Sequence, residues 1–404
     1  MKNKLYPLRK DLQLLQTKED EQEIVIISDP SGYSDSEIAV TLEFFWLITQ
    51  IEDNTTVEDL AKKVNIEDSN FLLPFIEELN KLDELYLLES DKFNDYRSKT
   101  DKEYINNPTR PSVLAEHSFP EEADEFNNYM NDLFSTTNKD DYRPDASSVI
   151  IPHLDLLTGL ETQQAYSSSF HSIRNTDFDT IVIFGTAHYL ASHRFMLSLK
   201  NFETPLGIID TDLDLINSIS EIAPNSFIVD EFAHKPEHSV EIQVALSSYY
   251  FHNRNFKILP ILVSGYFDFM DNNINPDSDE TINDFINALK HSITNLGRKP
   301  VFIASVDFSH IGNKFNDEFD AKDKLLEVET SDHNLIEYIL KNEYNNFYNK
   351  INNDDDKWKV CGTAPVFTLL KSTLFTKAIL NKYHIWYEKE TKSAVSCAGI
   401  SFYN

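Results

Sequence analysis

Continuous apolar runs alternate with longer mixed segments through most of the chain. Five such runs occupy residues 148–152, 180–184, 256–263, 300–306 and 394–402. Apolar runs bounded by polar turns are typical of strands that are buried on both faces of a sheet and joined by helices. The pattern therefore predicts an α/β domain over residues 108–404, with a central, mostly parallel sheet flanked by helices.

The first 90 residues follow a different pattern, which predicts a small α+β domain of winged-helix type. An apolar run at 24–27 ends in a turn signal, and an amphipathic helix is predicted over 36–49. A short helix through Val64 and a third helix over 71–82 precede a candidate strand at 85–88. Residues 91–107 are polar and lack periodicity, so they are interpreted as a linker.

The charge balance argues against nucleic acids and membranes as partners. The chain has 404 residues, with 36 Lys and Arg against 67 Asp and Glu, which gives a net charge of −31. Residues 1–90 alone hold 8 basic and 20 acidic residues. Because such a surface repels phosphate backbones and anionic lipid, we expect no nucleic-acid and no membrane partner, and a metal-responsive DNA regulator is disfavoured.

The expected cellular compartment is inferred from the first residues of the chain and from its cysteines. The first 15 residues lack the apolar region of a signal peptide, and no apolar run reaches the ~18 residues of a membrane span. Two cysteines cannot form a disulfide framework. A cytoplasmic location is expected.

Three histidines lie within four residues of the end of a predicted strand. They are His153, His188 and His310, and the last comes three residues after Asp307. Ligands of α/β sheets gather beyond the carboxyl ends of the strands, so the layout predicts three imidazoles on one rim. Asp307 could fix the tautomer of His310.

Two further features carry candidate chemistry. Cys361 precedes a predicted helix, whose dipole would stabilise the thiolate. His238 and Glu241 lie three apart at another helix start and could form an acid–base pair. Imidazoles with a thiolate suit iron, copper or zinc, and the same set could be a cysteine nucleophile with its base. We rank a metal site as the first interpretation of these residues and a cysteine nucleophile as the second.

Glycine is scarce, with nine residues in the chain. Gly185, Gly312 and Gly362 each lie within three residues of a candidate site residue. Since glycine permits conformations closed to other residues, tight backbone turns are predicted beside the site.

Five motifs occur in the order and rough spacing of a known family. They are Pro152-His153, Gly185-Thr186-Ala187-His188-Tyr189, Glu237-His238-Ser239-Val240-Glu241-Ile242-Gln243, Ser305-Val306-Asp307-Phe308-Ser309-His310-Ile311-Gly312 and Cys361-Gly362-Thr363-Ala364-Pro365. Residues 108–404 thereby resemble the Memo-like family, whose prokaryotic branch is the AmmeMemoRadiSam system protein B. Residues 1–90 lie outside this likeness and resemble PqqD-like peptide-recognition domains; a structural or partner-docking module is an equal interpretation.

The resemblance implies a fold, a metal site and partners. The family shares its fold with class III extradiol dioxygenases, which implies metal ligation by His153, His188 and Cys361. The ion would be Fe2+, with Cu+/Cu2+ or Zn2+ as alternatives. The residues lining its pocket would be His310, Asp307, His238 and Glu241. Asp155 departs from the family pattern and would place another carboxylate near the metal.

Two functions follow as expectations. One is a redox or oxygenase-type enzyme that acts on a small-molecule or peptide substrate. The other is a non-enzymatic accessory protein that binds a substrate, peptide or metal for an AMMECR1-like protein and a radical S-adenosylmethionine enzyme.

Overall fold

The computed structural model describes residues 4–19, 22–34, 36–189 and 191–404. The chain divides into two compact units, Met1–Asn107 and Pro108–Asn404. Within the described ranges, no helix has both the length and the apolar character needed to cross a membrane.

The first unit combines a three-stranded antiparallel sheet with helices. Its elements are β1 (Gln13–Glu19), β2 (Gln22–Ser28), β3 (Ile38–Thr41), α1 (Leu42–Thr49), α2 (Val57–Lys63), α3 (Leu73–Glu84) and α4 (Asp91–Asn106). The strands lie in the order β1-β2-β3, and a core of its own includes Ile27, Leu60, Leu79 and Leu87.

Three predictions for this unit differ from the structure. The helix predicted over 36–49 begins only at Leu42, because residues 38–41 pair with β2 as a strand. The strand predicted at 85–88 is reduced to one bridge, between Leu8 and Leu88. The predicted linker 91–107 is helix α4, capped by Ser90 and anchored by the buried side chains of Phe93 and Tyr104.

The second unit contains the remaining strands and helices. In chain order these are β4 (Thr109–Arg110), α5 (Ala123–Phe134), β5 (Ser148–Ile151), α6 (Leu160–Ser172), β6 (Thr180–Thr186), β7 (Phe195–Leu197), β8 (Asn201–Thr204), β9 (Gly207–Ile209), α7 (Leu213–Ile222), β10 (Ile228–Val229), α8 (Glu231–His234), α9 (His238–Tyr250), β11 (Lys257–Val263), α10 (Phe267–Asp271), α11 (Glu280–Leu296), β12 (Pro300–Ser305), β13 (His310–Ile311), α12 (Leu325–Leu340), α13 (Tyr344–Asn353), α14 (Thr363–Ser372), β14 (Lys377–Glu388) and β15 (Ser393–Tyr403).

Its main sheet has the order β10-β7-β11-β6-β12-β5-β15-β13, with β14 paired to β15. The four central strands β11, β6, β12 and β5 are parallel, while β15 runs antiparallel to β5. The predicted α/β class with a mostly parallel central sheet is confirmed.

Strand β6 shows why this sheet must be covered on both faces. Ile181 and Ile183 pack into one hydrophobic core with α5, α6 and α9. Val182 and Phe184 pack into a second core, on the other face, with α7, α11 and α14. Because successive strand residues point to opposite faces, a continuous apolar run requires helices on both sides.

Gly185 lets α9 approach β6 closely. A Cβ atom there would lie 2.6 Å from the Ser239 hydroxyl and 2.7 Å from a Val240 methyl. Gly362 is equally confined, by Val306 and by the Asp307 carbonyl. Gly312 alone of the three has a left-handed φ, +98°. The prediction of a tight turn was therefore wrong at Gly185, which lies within strand β6 and is required for close packing. Gly362 does lie in a turn before α14, but its φ of −74° is open to other residues, so close packing is what requires glycine there.

Candidate metal centre

Three adjacent parallel strands end at the candidate site. His153 lies two residues beyond β5, Asp307 two residues beyond β12, and His188 two residues beyond β6. Cys361 does not follow a strand but lies two residues before helix α14. One nitrogen from each of His153 and His188 and the Cys361 sulfur lie within 4.8 Å of one another. The structure thus brings together the three residues predicted as metal ligands.

His153 is buried, and one of its ring nitrogens is engaged away from the site. Nδ1 lies 2.9 Å from the Ser305 carbonyl oxygen, to which a proton on Nδ1 is donated. Nε2 then carries the lone pair and lies 3.6 Å from Cys361 Sγ. Burial is the main cause that holds the pKa of His153 well below its usual range, so the ring is neutral.

His188 is fixed by Glu237, a residue to which the sequence assigned no role. Nδ1 of His188 lies 2.9 Å from Oε1 of Glu237, and the backbone N–H of His188 donates to Oε2 at 2.8 Å. This leaves Nε2 of His188 for the side of Cys361. Burial opposes the charge on the ring, but the Glu237 carboxylate and Cys361 outweigh it and raise the pKa of His188 to about 10.

Glu237 is also the N-cap of α9. Its Oε1 accepts the backbone N–H of Ser239 at 3.0 Å, and its side chain is 1% exposed. Burial disfavours the carboxylate, but His188 outweighs this effect and holds the pKa of Glu237 well below its usual range. The N-cap residue of α9, Glu237, therefore orients the ring of His188 beyond the end of β6.

The Cys361 thiol differs from its prediction. It lies near the N-terminus of α14, as expected, and its Sγ contacts the Asp307 carbonyl oxygen at 3.4 Å. Burial, however, raises the pKa of the thiol above its usual range, although a hydrogen bond with His188 acts the other way. An ion would therefore have to displace the thiol proton.

Asp307 lies behind His153. Its Oδ1 accepts the backbone N–H groups of His153 and Leu154 at 3.2 and 3.3 Å. Its Oδ2 lies 3.5 Å from His153 Nε2. Burial raises the pKa of Asp307 to about 7, so this carboxyl group can hold or release a proton beside the candidate ligands near neutral pH.

His238 packs against both histidine ligands. Its ring is stacked on His188, with centroids 4.8 Å apart, and lies edge-on to His153 at 5.2 Å. Its Nδ1 is 3.4 Å from Oε1 of Glu237. The carboxylate that meets His238 is therefore Glu237, whereas the sequence predicted Glu241.

Glu241 is occupied elsewhere. Its Oε2 accepts a hydrogen bond from Arg110 at 2.6 Å, and its Oε1 accepts from the Ser112 hydroxyl and from the backbone N–H groups of Val113 and Leu114. These bonds anchor residues 110–114 to α9. The contacts do not fit the predicted acid–base role.

Arg110 completes this anchor and was not found from the sequence. It is 1% exposed and donates to the backbone carbonyl oxygens of His234 and Glu237 at 2.6 and 2.9 Å. It thereby holds the segment that presents Glu237. Four of its five partners lie more than a hundred residues away, and four of the five are backbone carbonyl oxygens, so no side-chain motif marks it.

His310 lies in β13, the short strand that pairs with β15. Its Nδ1 lies 3.0 Å from the Phe308 carbonyl oxygen and 3.1 Å from that of Lys359. Burial lowers its pKa to about 4, so the ring is neutral. Its expected partner Asp307 contacts His153 in its place.

Asp155, expected near the metal, is also engaged elsewhere. Its Oδ2 accepts the Ser118 hydroxyl at 2.6 Å and its Oδ1 accepts the Leu157 N–H at 2.7 Å. Both oxygens stabilise the loop after β5.

The sequence of the chain is similar to those of known proteins. The family model described as Memo-like protein matches residues 110–401. A MEMO1 family protein of Aquifex aeolicus is 26% identical over 388 residues, which cover 94% of this chain and 96% of that protein. MEMO1 family proteins of Methanosarcina mazei and Desulfurococcus amylolyticus are 31% identical over 208 residues and 30% identical over 220 residues. These alignments cover 51% and 53% of this chain, and 67% and 68% of the relatives.

Proposed function

The chain belongs to the Memo-like protein family, and we propose that it binds a transition-metal ion through His153, His188 and Cys361. One observation carries the proposal. Each histidine has its Nδ1 fixed by an acceptor outside the cluster, Ser305 or Glu237, so both rings offer Nε2 on the side of the thiol. Oriented ring nitrogens of this kind are typical of metal-binding histidines.

The donor set favours particular metals. Two imidazoles and one thiolate suit iron, copper or zinc better than Mg2+ or Ca2+, which prefer oxygen ligands. Fe2+ is our first choice, with Cu+/Cu2+ and Zn2+ as alternatives. An iron or copper ion would supply one-electron redox chemistry at this rim. Asp307 would hold a proton next to the ligands, and His238 and His310 would line the space for a small-molecule or peptide substrate.

The first test is the metal content of the protein. The full chain is purified without oxygen, and its bound metal is measured together with that of Cys361→Ala and His188→Ala. We expect a marked loss of metal in both variants. Unchanged occupancy in both would refute the ligand assignment. Anomalous diffraction at the iron and copper edges then identifies the ion.

A second candidate function is that of an accessory protein, which binds substrate or delivers metal for an AMMECR1-like protein and a radical S-adenosylmethionine enzyme. The similarity to the Aquifex aeolicus protein favours it, because an alignment over 94% of the chain must extend into the unit Met1–Asn107. A unit shared with this relative fits a docking role. If a chain lacking residues 1–90 retained every captured partner, that role would be excluded.

A further inference from the structure

Strand β14 forms one edge of the main sheet and is long for that position. It has twelve residues and pairs along its length with β15, whereas β10, at the opposite edge, has two residues. Within the described ranges, β15 is the one strand paired with β14, and no other backbone hydrogen bond reaches residues 377–388. One row of backbone N–H and C=O groups of β14 is therefore open to a further strand.

The faces of β14 are covered by helices, in contrast to this open edge. Helix α6 packs on one face, where Lys382 donates to Gln164, and α12 packs on the other, where the ring of Tyr383 meets that of His333. Eleven of the twelve residues are nonetheless half-buried and Lys377 is exposed, while every residue of β15 is buried. Natural edge strands are usually short or interrupted by proline, and β14 is neither.

A bulge decides which residues of β14 share a face. The register with β15 shifts between Leu380 and Lys382, so the alternation of side chains shifts by one residue at this point. The residues on the face that packs against the core with α12 are Ala378, Leu380, Tyr383, Ile385 and Tyr387. Even-numbered residues before the bulge therefore share this face with odd-numbered residues after it.

This shift lets β14 pair with its own copy. Residues directly opposite each other in an antiparallel pair lie on the same face of the sheet. One register about a two-fold axis sets Ala378 opposite Tyr387 of a second copy. It also sets Leu380 opposite Ile385, and both pairs share a face. In a strand without the bulge, the members of each pair would point to opposite faces.

The same register matches the charges at the two ends of β14. It sets Lys377, which is exposed, opposite Glu388, and the two-fold axis makes this pair twice. Lys314 and the Thr391 hydroxyl both meet Glu388 at Oε2, so its Oε1 can accept a hydrogen bond from Lys377 of the second copy. Opposite charges that face each other across two strands stabilise their pairing and help to fix its register.

We propose that β14 pairs with β14 of a second copy, antiparallel and about a two-fold axis, so that two main sheets join into one. The partner is a second copy because both the faces and the charges of β14 are self-complementary. A net charge of −31 makes two chains repel each other, which favours contact through a nearly neutral strand such as β14, with two lysines and one glutamate. This dimer does not depend on the proposed metal site.

Analytical ultracentrifugation of the full chain over a range of concentrations tests the pairing, and we expect a dimer. Lys377→Glu and Glu388→Lys should each weaken dimerisation about tenfold or more, because each sets like charges opposite each other twice. Both changes in one chain exchange the charges and should restore the dimer to within about threefold of its original stability. The matched control is Lys139→Glu, an exposed change outside β14.

Three results would overturn the proposal: a monomer at every concentration, a dimer that neither single change weakens, and a double variant that dimerises no better than the single variants. Circular dichroism checks that each variant keeps the fold.

Hydrogen exchange then locates the interface. The amide protons of β14 that point away from β15 should exchange slowly in the dimer and faster in the Lys377→Glu chain at concentrations where it is a monomer. Equal exchange in dimer and monomer would show that the dimer forms elsewhere or that the edge is covered within the chain, and either result refutes the pairing.

Discussion

Glu237 fixes more of the site than its place in the sequence suggests. One buried carboxylate caps α9, binds the backbone of His188 and orients its ring. Glu237→Gln keeps an acceptor oxygen but loses the charge, and it should weaken metal binding about tenfold, while Glu237→Ala should weaken it more strongly, on the order of a hundredfold. Competition with a chromophoric chelator measures the affinity. Glu203→Gln, an exposed change on β8, serves as the control, and an equal affinity in all three variants would exclude the orienting role.

Asp356 is a titrating residue in the loop before Cys361. Its Oδ1 accepts the Val360 N–H, and burial raises the pKa of Asp356 from 3.8 to about 6. A carboxyl group whose pKa is raised by folding stabilises the fold below the unfolded pKa, and this contribution is lost as the pH rises through the folded pKa. The loss therefore falls between about pH 4 and about pH 6.

Asp356→Asn should remove this dependence, because the amide accepts the same bond without a charge. Relative to the variant, the unchanged chain should lose about 1–3 kcal/mol of unfolding free energy between pH 4 and pH 7. Urea unfolding at the two pH values, followed by circular dichroism, gives the difference. A difference that is the same at both pH values would contradict the assignment.

Among the elements, the start of α9 depends on the segment 110–114. Arg110 and Glu241 form a buried ion pair, with side chains 1% and 2% exposed. Arg110→Met should cost about 3–5 kcal/mol, because it leaves a buried carboxylate without its partner. Arg110→Met combined with Glu241→Gln should cost less than the two single changes added together, since the amide still accepts from Ser112 without a charge. A double-mutant cycle by urea unfolding measures this coupling, and strictly additive costs would show that the pair is not coupled.

The elements also show what the sequence could predict. Apolar runs followed by His153 and His188 were sufficient to place both rings at one sheet edge, because parallel strands end together. The pattern could not decide which carboxylate of α9 meets His238, since Glu237 and Glu241 are one turn apart and only packing against Arg110 separates their roles. Helix α4 escaped prediction because only Phe93 and Tyr104 of its sixteen residues are buried, which leaves almost no periodic signal.

At the scale of the whole molecule, the charge of −31 bears on how a cation arrives. A negative field raises the rate of association with a positive ion, and salt screens it, with a Debye length of about 30 Å at 0.01 M and about 3 Å at 1 M. The association rate constant of Co2+ with the full chain should therefore fall on the order of tenfold between low and high NaCl. Stopped-flow absorption measures it, with sucrose as an uncharged control. A rate independent of salt would show that the net charge does not steer the ion.

Strand β15 sets the order in which the site can form. It pairs with β5 and β13, and its Ser396 holds the backbone of Phe308 and Ser309, yet it follows all three candidate metal ligands, His153, His188 and Cys361, in the chain. The ligands themselves are far apart in sequence, so no short segment of the unfolded chain forms a chelate. A zinc finger is folded by its ion, whereas this sheet must assemble first and only then offer a site. For the proposed metal site, folding would therefore act as a check on uptake, because an unfolded chain would have no preformed centre that could bind the wrong ion.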